Sequence, residues 1–101
     1  MTATERANLL SQILWDYNLP ANEVDEVLRG EKEFSGHYNR ETIFLKILES
    51  YPWFTIIQLI PPSQIKQLLT GSTIHKLRSA ALRQKYEFVQ KRLQQIIPAT
   101  R

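Results

Sequence analysis

The chain has 101 residues, of which 43% are hydrophobic, and this size and composition predict one small globular domain. It contains no cysteine, which excludes a disulfide framework, a cysteine-ligated metal and a cysteine nucleophile, and which suits a reducing cytoplasm. The net charge of +3 hides an asymmetry, because residues 1–50 carry nine acidic and five basic residues whereas residues 72–101 carry seven basic residues and one acidic residue.

The first residues predict no signal peptide, since charged side chains precede any apolar run and no small-residue cleavage site follows one. The longest apolar run, at 53–60, is far shorter than the ~20 residues that span a bilayer. We therefore expect a soluble, cytoplasmic protein with no membrane partner.

Two amphipathic helices are predicted before residue 31. Thr2 and Glu5 have the spacing of a capping box, and apolar residues repeat every three or four positions over 4–17. Pro20 is placed to begin the second helix, because a proline in the first turn loses no intrahelical hydrogen bond. Gly30 follows the last apolar residue of that helix and is typical of a left-handed stop.

The middle of the chain predicts a loop followed by two helices. Residues 31–38 have neither helical nor strand periodicity. Asn39 has the character of an N-cap for a third helix, which Pro52 ends. The run 53–60 would also suit a buried strand, but no second strand is present in the sequence to pair with it. We therefore expect a short buried helix there.

The last third of the chain predicts a short fifth helix and then the longest helix. Ser63 is placed to start the short helix and Gly71 to end it. Residues 72–97 then form one long helical pattern that also carries the main concentration of positive charge. The sequence thus predicts an all-α protein, a single compact bundle of five or six short helices with a longer basic C-terminal helix, over residues 1–101.

The basic residues of the long helical pattern are not all on its polar side. Arg78, Lys85 and Arg92 recur every seven residues and form one line between two apolar flanks on a helical wheel. The flanks consist of Leu77, Ala81 and Phe88 on one side and Leu82, Tyr86, Val89 and Leu93 on the other. Such a line must reach solvent at a seam, pair with acids of the first half, or meet an acidic partner. We expect it to meet carboxylates.

An alternative for the same stretch depends on one residue. Ser79 could cap a fresh helix that starts at Ala80, which would remove Arg78 from the line. The outer bases of the stretch could instead follow the phosphates of a nucleic acid. These bases are Lys76, Arg83 and Lys91.

Large aromatic residues supply the other candidates for a recognition surface. Trp15 lies off the apolar stripe of its helix and Phe34 lies in the predicted loop, so both are candidate partner-binding residues. Trp53 and Phe54 belong to the apolar run and are expected to fill the core.

No catalytic residue, metal ligand set or cofactor-binding motif is predicted. The histidines His37 and His75 are far apart in sequence, and no HExxH, GxSxG or phosphate-binding glycine loop occurs. A chemical role for His37, which lies beside Tyr38 and Arg40, stays open.

Two functions from different classes fit this pattern. The first is a non-enzymatic protein-interaction module that docks on and regulates a larger partner, as small bacterial antitoxins and adaptor subunits do; an acidic partner is one of the open options. The second is a nucleic-acid-binding domain that uses the basic C-terminal helix. The sequence leaves homo-oligomerisation open.

Overall fold

The computed structural model describes residues 1–13, 20–36 and 38–97. Over these ranges the chain is all-α, as predicted, with seven helices and no strand. They are α1 (Ala3–Ile13), α2 (Ala21–Leu28), α3 (Arg40–Ser50), α4 (Trp53–Leu59), α5 (Pro62–Leu68), α6 (Gly71–His75) and α7 (Ala80–Ile96). None of these helices has the length and apolar character needed to cross a membrane.

The chain divides into two compact units, Met1–Trp53 and Phe54–Arg101. In the first unit, α1, α2 and α3 pack against one another. Most of the buried side chains of this unit are apolar residues at helical spacing, which supply the hydrophobic free energy of the unit. They include Leu10, Val24, Val27, Leu28, Ile43, Phe44, Ile47 and Leu48.

The ends of the first three helices follow local sequence signals. The amide of Glu5 donates to Thr2 Oγ1 at 3.1 Å and the amide of Thr2 donates to Glu5 Oε1 at 3.3 Å, which confirms the capping box. Asn39 Oδ1 accepts from the amide of Thr42 at 2.9 Å, which confirms the N-cap of α3. Gly30 has a φ of +81° after α2, the left-handed conformation that was predicted for it.

In the second unit, α7 packs against α5 and α6. Its buried residues come from all four helices and the connections between them. They include Ile56, Leu59, Ile60, Ile65, Leu69, Ile74, Leu77, Tyr86 and Leu93. Thr70 caps α6, since its Oγ1 accepts from the amide of Thr73 at 3.2 Å.

The prediction of one continuous helix over 72–97 is wrong for its first residues. Helix α6 ends at His75, and α7 begins at Ala80 with Ser79 as its N-cap. Gly71 is the first residue of α6 and does not stop α5 in a left-handed conformation. The extra break explains why the described residues contain seven helices, while five or six were predicted. The prediction that residues 1–101 form a single domain stays a prediction.

Candidate functional site

The candidate site is built on α7, and its geometry depends on where that helix starts. Ser79 is extended, with φ −94° and ψ 132°, and its Oγ accepts from the amide of Leu82 at 3.4 Å. Arg83 reaches back across this start and donates from Nη1 to the carbonyl oxygen of Leu77 at 2.6 Å. These contacts fix the rotation of α7, and they leave Arg78 in the connection between α6 and α7.

One side of α7 is held against its own unit. Tyr86 and Leu93 are fully or nearly fully buried on this side. Gln90 donates to the carbonyl oxygen of Leu69 at 3.0 Å, and Lys66 donates to the carbonyl oxygen of Ile97 at 2.5 Å. The second apolar flank of the predicted wheel is therefore the core face of the helix.

A second side of α7, centred about 110° around the helix axis from Tyr86 and Leu93, faces solvent and is not polar throughout. It consists of Ala81, Lys85, Phe88, Arg92 and Ile96, which we call the outer face of α7. At 100° per residue these five positions lie within about 80° of arc, with Phe88 about 160° from Tyr86. Phe88 is 64% exposed and Ile96 is 63% exposed. The outer face thus alternates large apolar groups with two basic groups.

The two cations of the outer face make only local contacts. Lys85 Nζ lies 5.3 Å from the ring centroid of Tyr86, and Arg92 Nη1 donates to Gln95 Oε1 at 3.2 Å. The ion pairs between residues of the described ranges all lie in the first unit and include neither Lys85 nor Arg92. The prediction that these cations meet carboxylates therefore stays a prediction.

The other residues predicted to bind a partner are not part of α7. Arg78 is exposed but does not lie on α7, so the three bases do not form one helical line. Phe34 belongs to the first unit and is 48% exposed in the loop after α2. Trp15 and His37 lie outside the described residues.

The bases predicted to contact nucleic acid do not lie on one helix. Lys76 follows α6 as its C-cap residue, whereas Arg83 and Lys91 are on α7, about 80° apart around its axis. Arg83 is half-buried and its Nη1 is held by the carbonyl of Leu77. Lys91 is exposed.

Two aromatic residues have environments that the sequence analysis missed. Phe54 was expected in the core and is 65% exposed on α4, so that prediction is wrong. Phe88 was assigned to an apolar flank of the wheel, and the structure leaves it in solvent together with Ile96. The signal that could have identified Phe88 is its spacing of four residues from Arg92, together with its position about 160° from Tyr86 and 140° from Leu93 around the helix axis.

Comparison of this chain with known protein families, with curated proteins and with solved structures finds no match.

Proposed function

We propose that this chain is a non-enzymatic protein-interaction module that docks on a larger acidic partner through the outer face of α7 and regulates it. The observation that carries the proposal is the exposure of Phe88 between Lys85 and Arg92, and of Ile96 one turn further on, along a helix that buries Tyr86 and Leu93 in its own unit. An antitoxin or an adaptor subunit acts in this way. The absence of cysteine suits a place in the reducing cytoplasm.

The apolar residues of the outer face have the spacing of helix anchors. Partners that recognise one face of a helix contact residues at i, i+3, i+4 and i+7, and large buried aromatic residues contribute most of the binding free energy. Phe88 is the centre of such a series, with Ala81 seven residues before it and Ile96 eight residues after it. The 17 residues of α7 give a contact about 25 Å long.

The basic residues of the same face select the partner by charge. Lys85 and Arg92 flank Phe88 at distances of three and four residues, so a partner that covers Phe88 must also accommodate both cations. Carboxylates at the facing positions would neutralise them and would raise the rate of association. A partner of the same sign would be rejected, because like charges across an interface cost free energy.

A second copy of the chain would fit the outer face of α7 less well than an acidic partner would. Two outer faces brought together would place two copies of Lys85 and Arg92 in one interface. Glu87 is the single acidic residue of α7, and it projects about 100° away from Phe88. Self-pairing would therefore be repulsive, which favours an acidic partner of different sequence.

The proposal is tested by measuring binding to a defined acidic probe. The probe is a fluorescent amphipathic helical peptide, a few heptads long, with leucines along one seam and glutamates beside them. A peptide of the same composition with the heptad spacing scrambled serves as the control ligand. We expect the full chain to raise the anisotropy of the first peptide, more strongly at low ionic strength than at high ionic strength.

Paired variants locate the contact on α7. We expect Phe88→Ser and Lys85→Glu each to weaken binding by about tenfold or more, as truncation of an interface anchor does. The matched controls are Phe54→Ser, which removes an equally exposed phenylalanine, and Lys91→Glu, which reverses a charge about 120° from Lys85 on α7. Equal effects of the face variants and their controls would refute the proposal.

The same titration with single-stranded and double-stranded nucleic acid tests the second function. Nucleic-acid binding that exceeds peptide binding, falls steeply with salt and is insensitive to Phe88→Ser would replace the protein-interaction proposal. The structure gives this alternative less support, because Arg83 already donates to Leu77 and Lys76 does not lie on α7 with Arg83 and Lys91.

A further inference from the structure

A groove of about 430 Å³ lies within the first unit, beside the end of α2, the loop that follows it and the start of α3. Its volume falls within the usual range of ligand sites. Among the described residues, the groove is lined by apolar groups of Val27 and Phe34 and by the charged side chains of Lys32, Glu33 and Arg40. The outer face of α7 contributes nothing to this groove.

The backbone after α2 shapes one wall of the groove. The amide of Gly30 donates to the carbonyl of Val27 at 3.0 Å, and the amide of Glu31 donates to the carbonyl of Glu26 at 2.8 Å. The φ of +81° at Gly30 turns the chain immediately after the helix. A Cβ at Gly30 would lie 3.9 Å from Cζ and Nη1 of Arg40, so the guanidinium of Arg40 lies next to this turn.

Arg40 is anchored through one of its three guanidinium nitrogens. Its Nε donates to the carbonyl oxygen of Leu28 at 2.8 Å, which holds the guanidinium beside the end of α2. Neither terminal nitrogen of Arg40 has an acceptor among the residues of the described ranges. Nη1 and Nη2 form the edge of a planar group that can donate two parallel hydrogen bonds to one carboxylate. The anchoring contact means that this edge is already oriented.

The remaining charges of the groove are largely matched within the first unit. Lys32 is paired with Glu23, and Glu31 Oε2 lies 3.6 Å from Nη1 of Arg29. Arg40 is thus the one lining cation whose charged atoms lack an anionic partner among the described residues. A doubly charged phosphate would need more positive charge than this, and it would be repelled by Glu31 and Glu33. A single carboxylate matches the available donors.

We propose that this groove binds a carboxylate attached to an apolar group, with the carboxylate on Nη1 and Nη2 of Arg40 and the apolar group against Phe34 and Val27. The C-terminal residue of a peptide and a small aromatic acid share this chemistry. The site is separate from the proposed contact through α7, and each can be tested without the other.

The test is a titration of the full chain, labelled with ¹⁵N, with N-acetylphenylalanine and with its neutral amide. The two probes differ only in the carboxylate. We expect the acid to shift the backbone amide signals of Gly30, Phe34 and Arg40, with a dissociation constant on the order of millimolar for a ligand of this size. The amide should bind about tenfold more weakly, because it cannot form the charged pair with Arg40.

A third probe, 3-phenylpropionate, distinguishes the two sources of the carboxylate. Binding as strong as that of N-acetylphenylalanine assigns the groove to small aromatic acids, and much weaker binding assigns it to peptide C-termini. Equal shifts with the acid and the amide, shifts confined to other parts of the chain, or no shifts with any probe would overturn the proposal.

Variants supply a second test that does not depend on Arg40 alone. We expect Arg40→Lys to weaken binding of the acid several-fold, since lysine keeps the charge and loses the paired donors. Arg29→Lys is the matched control and should leave binding unchanged. Phe34→Ala removes an exposed side chain and should also weaken binding, while Glu33→Gln should strengthen it by removing a repulsive charge. A weaker complex with Glu33→Gln would contradict the proposed position of the carboxylate.

Discussion

Tyr86 offers the sharpest test of the packing in the second unit. Its side chain is fully buried, and its hydroxyl has no hydrogen-bond partner among the residues that the structure describes. A buried hydroxyl without a partner loses about 1–3 kcal/mol of hydration free energy that nothing replaces. Tyr86→Phe removes that hydroxyl and leaves the ring in place, at the cost of a few dispersion contacts. We therefore expect the variant to be more stable than the wild type, by about 1 kcal/mol.

Tyr51 provides the matched control, because its hydroxyl has a hydrogen-bond partner. It donates to the carbonyl oxygen of Leu9 at 2.7 Å within the first unit. Tyr51→Phe makes the same chemical change and should destabilise the protein by about 0.5–1.5 kcal/mol, the net value of a typical hydrogen bond. The two variants are thus expected to change the free energy of unfolding in opposite directions.

Urea unfolding followed by circular dichroism measures both variants. With a slope of about 1–3 kcal/mol per molar urea, a gain of about 1 kcal/mol raises the midpoint by about 0.3–1 M. Thermal unfolding should show an increase of about 4–8 °C for a chain of this size. A Tyr86→Phe variant that is less stable than the wild type would refute the reasoning, since it would mean that the hydroxyl is satisfied, for example by a buried water.

Two further predictions concern alkaline pH and helix capping. Burial raises the pKa of Tyr86 above its ordinary value of 10.0, so the hydroxyl loses its proton more readily in the unfolded chain than in the folded one. The free energy of unfolding should therefore fall as the pH rises above about 10. Urea unfolding between pH 9 and 11 should show a smaller fall in this free energy for Tyr86→Phe than for the wild type. Asn39→Ala should lower the free energy of unfolding by about 1 kcal/mol because it removes the cap of α3, whereas Asn8→Ala, on the exposed side of α1, should leave it nearly unchanged or raise it.

The parts of the fold that the sequence predicts well are those decided by local chemistry. The capping box of Thr2 and Glu5, the cap at Asn39 and the left-handed Gly30 all form as expected, because each depends on neighbours within four residues. Gly71 shows the limit of the same reasoning. It was expected to end α5, but Thr70 supplies a cap immediately before it, and α6 begins at Gly71 instead.

Burial was harder to predict, because it depends on residues distant in sequence. The run 53–60 is apolar almost throughout, so its pattern does not distinguish the buried Ile56 and Leu59 from the exposed Phe54. The groove beside α2 was likewise missed. It requires the contact of Arg40 with Leu28, twelve residues away, which no short motif encodes.

The sequence of α7 has more apolar positions than its own unit buries, and the outer face contains some of the exposed ones. The wheel contains two apolar flanks, but α5 and α6 bury only the one that includes Tyr86 and Leu93. Which flank is buried depends on the cap at Ser79, which sets where α7 begins, and on the helices that α7 packs against, so the residues of α7 could not decide it by themselves. Phe88 is 64% exposed, and contact of its ring with water is unfavourable. This exposed phenylalanine between two cations is the reason for proposing a partner that covers it.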